Sequence, residues 1–102
     1  MHRERLGDMN LYRTKGICEK MPFSLQAICL ELFMKRKLEG GLDYFHIFEL
    51  SVTEQGKQRI YHKQEQPSYE SMVEIEVENP IELKIWMIDE VEHVTLLLPE
   101  EY

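Results

Sequence analysis

Short strand patterns fill the second half of the chain, and they constrain the fold more than any other feature. The segment Met72–Glu78 alternates strictly, with Val73, Ile75 and Val77 on one side and glutamates on the other. Successive side chains of a strand point to opposite faces, so this alternation predicts a half-buried strand with its apolar side inward. A chain built this way has to cover one face of a sheet.

Five further segments have the composition and period of strands, and they are bounded by turn residues. They are Asn10–Ile17, Asp43–Val52, Gln58–Gln64, Ile81–Ile88 and His93–Leu98. The second and third of these are predicted to form a hairpin around the turn Glu54–Lys57, where Gly56 adopts positive φ at little cost.

The segment Asp43–Val52 is apolar on both faces, which is typical of a central strand. Phe45 and Ile47 are assigned to one face of it. Tyr44, Phe48 and Leu50 are assigned to the other.

Only the segment Pro22–Leu38 predicts a helix. Its apolar residues recur at intervals of three and four, as in Leu25, Ile28, Cys29 and Leu32. The prediction is therefore an α+β domain, in which an antiparallel sheet of five or six strands carries one helix on one face. Residues 1–8 are polar and without period and are predicted to be a disordered N-terminal extension, so the single domain spans residues 9–102.

The charge and the cysteines limit the partners and the compartment. The chain has 12 Lys and Arg against 19 Asp and Glu, a formal net charge of −7, which disfavours binding to nucleic-acid phosphates. No apolar run approaches the roughly 20 residues that span a bilayer, so no membrane partner is expected. The chain opens without an apolar signal sequence, and nothing in Cys18 or Cys29 requires an oxidising compartment. We predict a cytoplasmic protein.

An acidic cluster, Asp89, Glu90 and Glu92 with His93 beside it, separates the last two predicted strands. Its spacing suits a short hairpin loop, and aspartate favours turns because its side chain bonds nearby backbone donors. The turn is the favoured interpretation. The sequence does not decide whether this cluster is more than a turn.

Other candidates for chemistry are weak. Glu82 and Lys84 match half of a metal-dependent nuclease motif, with Asp43 or a strand glutamate as the missing acid, but a solvated strand face produces this pattern as well. A symmetric turn at Glu54–Lys57 would place His46 and His62 on opposite faces of the sheet, so the two histidines could not bind the same ion. Zinc also needs three or four ligands, and no further ligand has a suitable spacing. We predict no catalytic residue, no metal site and no cofactor.

Outward-facing apolar residues are the remaining signal. The predicted interface residues are Tyr44, Phe48, Tyr61, Trp86 and Ile88. One helix covers one sheet face only, so these residues suggest a contact surface. Alternatively the first strand, residues 64–71 or the amino-terminal tail folds over them. The leading prediction is a non-catalytic protein-interaction protein, accessory or regulatory, that binds a protein partner or itself as a homodimer. The alternative is a small metal-dependent enzyme, hydrolase-like or nuclease-like, that uses surface carboxylates.

Four stretches also carry a family resemblance: "MNLYRTKGI", "LDYFHIFEL", "IYHKQEQPSY" and "IDEVEHVTLLLPEEY". Through them the chain resembles a family of small proteins from Gram-positive bacteria, their phages and mobile elements, known as domain-of-unknown-function family 960. The resemblance implies a bacterial or mobile-element setting. It implies no activity, because the family has none assigned.

Overall fold

The computed structural model describes residues 2–6, 9–39, 44–90 and 92–102. Its elements, in chain order, are β1 (His2–Leu6), β2 (Met9–Arg13), α1 (Lys15–Lys20), α2 (Phe23–Leu38), β3 (Phe45–Val52), β4 (Gln58–Gln64), β5 (Tyr69–Ile75), β6 (Leu83–Asp89), β7 (His93–Leu97) and a 3₁₀ turn (Pro99–Glu101). The strands form one sheet in the order β1-β2-β7-β6-β3-β4-β5. The predicted α+β class is confirmed.

The sheet is mixed rather than purely antiparallel, and it has seven strands rather than five or six. Strands β2 and β7 are parallel, with Leu11 opposite Val94, while every other neighbouring pair in the described sheet is antiparallel. About 80 residues separate these two strands in the sequence. No hairpin turn fixes their relative direction, so local sequence patterns cannot reveal the parallel pairing.

Strand β1 lies within the segment that was predicted to be a disordered extension. It pairs antiparallel with β2, and Arg3 stands opposite Tyr12. A strand ladder needs only backbone donors and acceptors, so β1 forms at the sheet edge without the apolar alternation that marks a half-buried strand. The proposed domain start at residue 9 stays a prediction.

A second helix replaces the end of the first predicted strand. Strand β2 stops at Arg13, and the Thr14 hydroxyl accepts a hydrogen bond from the backbone N–H of Ile17 at 3.3 Å. This is the N-cap arrangement that begins a helix, because it satisfies a backbone donor that has no partner within the helix. Ile17 is fully buried and joins the core.

Helix α2 ends at Leu38, as predicted, and Pro22 is its N-cap. Both helices contribute to one hydrophobic core on the same side of the sheet. Its buried members are Leu11, Ile17, Met21, Leu25, Cys29, Phe33, Phe48, Leu50, Ile60, Ile85, Met87, Val94, Leu96 and Leu98. Val73, Ile75 and Val77, predicted to face inward, pack against this core. Strand β5 itself begins earlier than predicted, at Tyr69, and ends at Ile75.

The turn between β3 and β4 is one residue longer than predicted. Val52 pairs with Gln58, so the connection is Thr53–Lys57, and Gly56 takes φ of 80° within it. The backbone N–H of Thr53 bonds to the Lys57 carbonyl at 2.9 Å. A register shift of one residue moves every side chain of a strand to the other face relative to its partner.

The carboxylate of Glu101 closes the chain against its first half. It accepts hydrogen bonds from the Thr14 hydroxyl, from the backbone N–H of Gly16 at 3.0 Å and from the backbone N–H of Leu98 at 2.8 Å. The Thr14 and Gly16 donors hold the 3₁₀ turn on the start of α1, and the Leu98 donor closes the turn itself. Partial desolvation pushes the pKa of Glu101 upward, but these hydrogen bonds outweigh it and lower the pKa.

Gly16 is expected to tolerate no side chain at this contact. A Cβ atom there would lie 2.6 Å from Leu98 Cδ1 and 2.8 Å from Glu101 Oε2. Gly16→Ala should therefore lower the free energy of unfolding by about 1–2 kcal/mol, as overpacking does, despite the better helix propensity of alanine. Urea unfolding followed by circular dichroism measures the loss. Ala27→Gly on the exposed side of α2 measures the helix-propensity difference between alanine and glycine without a change in packing. A Gly16→Ala protein as stable as the wild type would contradict the expectation.

Candidate functional site

The sheet has a second face, opposite the helices, which we call the open face. Strand pairing assigns its members, because directly opposite residues of paired strands share a face. They are Arg3 and Arg5 (β1), Asn10 and Tyr12 (β2), His93, Thr95 and Leu97 (β7), Lys84, Trp86 and Ile88 (β6), Phe45, Ile47, Glu49 and Ser51 (β3), Arg59, Tyr61 and Lys63 (β4), and Glu70, Met72 and Glu74 (β5). Apolar side chains lie on every one of these strands from β2 to β5.

Three of the five predicted interface residues lie on the open face: Tyr61, Trp86 and Ile88. Phe48 does not. It is 0% exposed, belongs to the core on the helix side and stacks on His62, so its predicted place on the outer face of the sheet is wrong. Tyr44 precedes β3, is 66% exposed and contacts Phe45 edge-on. Whether any of these residues binds a partner stays a prediction.

Phe48 was misassigned because β3 is apolar on both sides, so its own sequence does not say which side faces the helices. The pairing with β6 decides it. Phe48 stands opposite the fully buried Ile85, and Ile47 stands opposite Trp86. Phe45 and Ile47 are therefore the open-face residues of β3. Two residues with even numbers in different strands therefore share a face only if the register of the two strands places them there.

Sequence reasoning also missed Tyr12, Met72 and Tyr102. Tyr12 lies in the first predicted strand, and it joins the open face through the parallel pairing of β2 with β7. Met72 stands opposite Tyr61 and is 50% exposed. No short-range sequence pattern predicts that these three residues belong to the open face. Only the assembled register brings them together.

Aromatic side chains form the centre of the open face. The ring centroids of Phe45 and Trp86 lie 4.9 Å apart in an edge-to-face contact, and Tyr102 contacts Trp86 edge-on as well, with a centroid distance of 5.5 Å. Farther along, Tyr12 meets His93 edge-on at 5.3 Å. Edge-to-face pairs of this kind restrain the rings, so the surface is largely preorganised.

The charges of the open face are mostly paired across strands. The Glu49 carboxylate receives Lys63 and Lys84, each at 3.3 Å, from the two strands beside it. Slight burial acts to raise the pKa of Glu49, but the hydrogen bonds and charges of the two lysines lower it overall. Arg59 pairs with Glu74 at 3.0 Å.

Tyr61 also interacts with a residue of the neighbouring strand, Glu70 of β5. Its side-chain hydrogen bond with Glu70 raises the pKa of the phenol, since the nearby carboxylate stabilises the protonated hydroxyl.

The three segments suggested as covers for the aromatic residues belong to the sheet and its turns instead, as far as the structure describes them. Strands β1 and β2 extend its edge, so neither lies over the face. Residues 64–71 form the end of β4, a turn and the start of β5, and Glu65 and Gln66 border a concavity shared with Tyr44 and Phe45. Within the described residues, the ring of Tyr102, which is 81% exposed, contacts Trp86 from outside the strands, and Leu97, opposite Trp86 on β7, is only 5% exposed. Trp86, Ile88, Phe45 and Ile47 are half-buried.

The residues of the acidic cluster have two different structural roles: Asp89 packs against α2, and Glu90 with His93 forms the turn. Asp89 is the last residue of β6, is 8% exposed, and forms an ion pair with Lys37 of α2 at 3.2 Å. Glu90 pairs with His93 at 3.2 Å, and the Glu90 N–H bonds to the His93 carbonyl, which closes the hairpin. These contacts are those of a structural turn.

The candidate metal ligands do not converge where they are described. Glu82 is exposed just before β6, and Lys84 is engaged by Glu49. Asp43 lies outside the described residues. Among the residues that the structure describes, no group of three or more His, Cys, Asp and Glu side chains is arranged to hold a metal ion.

His46 and His62 share a face, contrary to the prediction from a symmetric turn. The longer Thr53–Lys57 connection shifts the register, and His46 Nδ1 lies 2.9 Å from His62 Nε2 in a buried site. One ring donates and the other accepts, so the pair is satisfied as a hydrogen bond. Burial, then the electrostatic effects of His46 and Arg36, lower the pKa of His62 to about 4.

The molecule is thus an α+β protein with a helix-covered core on one side of a seven-stranded sheet and an aromatic open face on the other. The chain belongs to the family described as staphylococcal protein of unknown function, DUF960, whose model matches residues 10–101. This confirms the resemblance seen in the sequence and fits the expected Gram-positive origin. The phage or mobile-element setting stays a prediction.

Among solved structures, the chain is similar to the crystal structure of a protein of unknown function from Enterococcus faecalis. The TM-score is 0.73, the sequence identity is 22%, and the match covers 95% of this chain and 93% of that chain. At this identity the likeness shows the fold alone. No curated protein matches the chain. Helix α2 has 16 residues, and no helix in the described ranges is long and apolar enough to cross a membrane.

Proposed function

We propose that this is a non-catalytic protein-interaction protein, accessory or regulatory in role, that binds a protein partner through the open face. One observation carries the proposal: apolar side chains continue across the open face from β2 to β5, while both helices pack on the other side of the sheet. A contiguous apolar surface rimmed by polar residues is typical of protein contact sites. Trp86, at the centre, is the expected anchor, because aromatic residues in central positions dominate interface energies.

Protein is favoured over nucleic acid as the partner because of the charges. Lys63 and Lys84 share the carboxylate of Glu49, and Arg59 pairs with Glu74, so these cations already have an anionic partner. The other arginines of the open face, Arg3 and Arg5, lie on the edge strand β1, three strands away from Trp86. The chain as a whole has a formal net charge of −7. Single-stranded nucleic acid would need cations free to contact phosphates beside the stacking rings.

The proposed setting is the cytoplasm. Cys18 is exposed and Cys29 is buried, and both are free thiols. Burial raises the pKa of the Cys29 thiol to about 12, which makes it an inert part of the core. Free thiols of this kind support a reducing compartment. The metal-dependent enzyme remains the untested alternative.

Affinity capture from a staphylococcal extract tests the proposed function. Wild-type protein, Trp86→Ala and Phe23→Ala are compared as baits, the last as a matched control because Phe23 is an aromatic residue, 64% exposed, on α2. We expect a defined set of proteins with the wild type and Phe23→Ala and its loss with Trp86→Ala. Truncating an anchor of this kind costs about 2 kcal/mol, or roughly thirtyfold in affinity.

Two results would refute the proposal. Capture that is the same for the wild type and Trp86→Ala would show that the open face is not the binding surface. Capture that disappears when the extract is treated with nuclease would show that nucleic acid, rather than protein, occupies it.

A further inference from the structure

We infer that strand β5, at one edge of the sheet, binds an extended peptide segment of a partner protein in which apolar residues alternate with Lys or Arg. The segment pairs with β5 as an additional strand and places its apolar side chains in a groove between β5 and α2. Strand β5 ends the sheet order, and in the part of the chain that the structure describes its strand neighbour is β4, on one side only. The site is an edge of the sheet, so the inference goes beyond the proposed contact through the open face.

The backbone of β5 turns hydrogen-bonding groups away from the sheet. The Thr53 N–H bonds to the Lys57 carbonyl, and bonded pairs alternate along an antiparallel ladder. Arg59 is therefore bonded to β3, and the next residue, Ile60, is bonded to β5. By the same alternation, the β5 residues bonded to β4 are Tyr69, Ser71, Val73 and Ile75. The N–H and C=O groups of the residues between them face the free edge, where a further strand can pair with them. These residues are Glu70, Met72 and Glu74.

An apolar groove runs along this edge on the helix side of the sheet. Its volume is about 360 Å³, which is within the range of pockets that bind ligands. Its lining residues are Ile28, Glu31, Leu32, Lys35, Val73 and Ile75. The four aliphatic side chains among them pack against the core but are only partly buried. Successive side chains of a strand point to opposite faces, so every second side chain of an added strand would enter the groove and complete this burial.

The charges beside β5 define the other side chains of the peptide. Residues 69–78 include four glutamates and no lysine or arginine, and all four glutamates are exposed. Glu74 pairs with Arg59, while Glu70 bonds to the hydroxyl of Tyr61, which supplies no positive charge. Peptide residues opposite Glu70 and Glu74 share their face of the sheet, so cationic side chains are favoured there. The peptide is therefore apolar toward the groove and basic toward the glutamates.

Isothermal titration calorimetry of the purified protein tests the inference with a capped heptapeptide in which four lysines alternate with three valines. A peptide of the same composition, with the four lysines followed by the three valines, measures the attraction of any basic peptide to an acidic protein. We expect the alternating peptide to bind at least about tenfold more tightly, because it alone can place its valines in the groove while its lysines face the glutamates.

Methylation of the peptide backbone tests the strand pairing. In an antiparallel added strand the lysines turn their N–H groups to β5 and the valines turn theirs to solvent, and in a parallel strand the two sets exchange. N-methylation of three lysines is therefore compared with N-methylation of the three valines. We expect one of the two changes to weaken binding at least about tenfold, through the loss of backbone hydrogen bonds, and the other to change the dissociation constant less than about twofold.

A pair of variants at Met72 tests the edge from the side of the protein. Met72→Pro removes an outward N–H from the middle of β5, whereas Met72→Ala also shortens the side chain but keeps the N–H. Proline is compatible with an edge strand at a position whose N–H faces away from the ladder. We expect Met72→Pro to bind the alternating peptide about fivefold more weakly than Met72→Ala. Trp86→Ala should bind it as the wild type does.

Three results would overturn the inference. They are equal binding of the alternating and the block peptide, equal effects of the two methylations, and a folded Met72→Pro that binds as tightly as Met72→Ala. Circular dichroism shows whether Met72→Pro folds, and if it does not, the methylated peptides decide with the wild-type protein. Trp86-dependent capture of a partner is measured separately, so the proposed function can fail while this inference holds, and the reverse.

Discussion

Replacing Phe48 by alanine is expected to lower the free energy of unfolding by about 3–5 kcal/mol, whereas Phe45→Ala should cost clearly less. Phe48 is 0% exposed and its ring stacks on His62 with a centroid separation of 4.3 Å. Removing it leaves a cavity between α2 and the sheet. Phe45 is half-buried on the open face, where water fills the vacated space. A domain of this size is stable by only about 5–15 kcal/mol, so the expected loss is a large part of the stability of the protein.

The two variants form a matched pair, since they remove the same ring from the same strand. Urea unfolding monitored by circular dichroism, at protein concentrations in the low micromolar range, gives both free energies. A larger loss for Phe45→Ala than for Phe48→Ala would show that the faces of β3 are assigned the wrong way round. If Phe48→Ala does not fold, Phe48→Leu provides the comparison with a smaller expected loss.

Acid is expected to destabilise the protein through His62, between the ordinary histidine pKa and the folded value of about 4. Burial, the neighbouring His46 and then Arg36 lower the folded-state pKa, while the unfolded chain keeps a pKa near 6.5. Below pH 6.5 the unfolded state therefore binds a proton that the folded state refuses. Stability is fully present above pH 6.5 and falls as the pH is lowered, by at most about 3 kcal/mol when pH 4 is reached.

The His62→Gln variant isolates this effect, because glutamine does not titrate. It should be less stable than the wild type at pH 7, having lost the stack on Phe48. Its stability should change little between pH 6.5 and pH 4.5. Glu49 and Glu101 also have lowered pKa values, so their contributions are lost at lower pH than most of the histidine effect. Urea unfolding at half-unit steps of pH measures how the free energy of unfolding of each protein changes with pH. The same change in both proteins would show that His62 is not the source of the acid sensitivity.

Segments with a strong local signal were predicted well. Helix α2 has a wide apolar stripe and ends near a pair of glycines, and its end at Leu38 is the predicted one. Strand β4 matches its predicted bounds, Gln58–Gln64, because turn residues flank a short run of strand formers. In both cases the information that defines the element lies within the element and its immediate neighbours.

Long-range pairing was not predictable in the same way. The parallel contact of β2 with β7, which brings Tyr12 into the open face, depends on two strands at opposite ends of the chain. The face of Phe48 depends on the register with β6, and the meeting of His46 with His62 depends on a single extra turn residue. Each error follows from the two-residue period of a strand, because an error of one residue in the register moves every side chain of that strand to the other face of the sheet.

The candidate site was therefore recovered in part. Tyr61, Trp86 and Ile88 were identified, since single outward aromatic and aliphatic residues in well-marked strands are readable one strand at a time. Tyr102 and Met72 were missed, because neither stands out within its own segment. Their importance comes only from what lies across from them.

The position of β7 between β2 and β6 has a consequence for synthesis of the protein. In the sheet order, β7 is the only strand that connects the β1–β2 hairpin to β6 and the strands beyond it. It is also the last strand of this sheet to leave the ribosome. The β1–β2 hairpin must therefore wait, without its sheet partner, until β7 has emerged. Strands β3 to β6 can pair as they appear, whereas the β1–β2 hairpin joins the sheet only after β7 has been made.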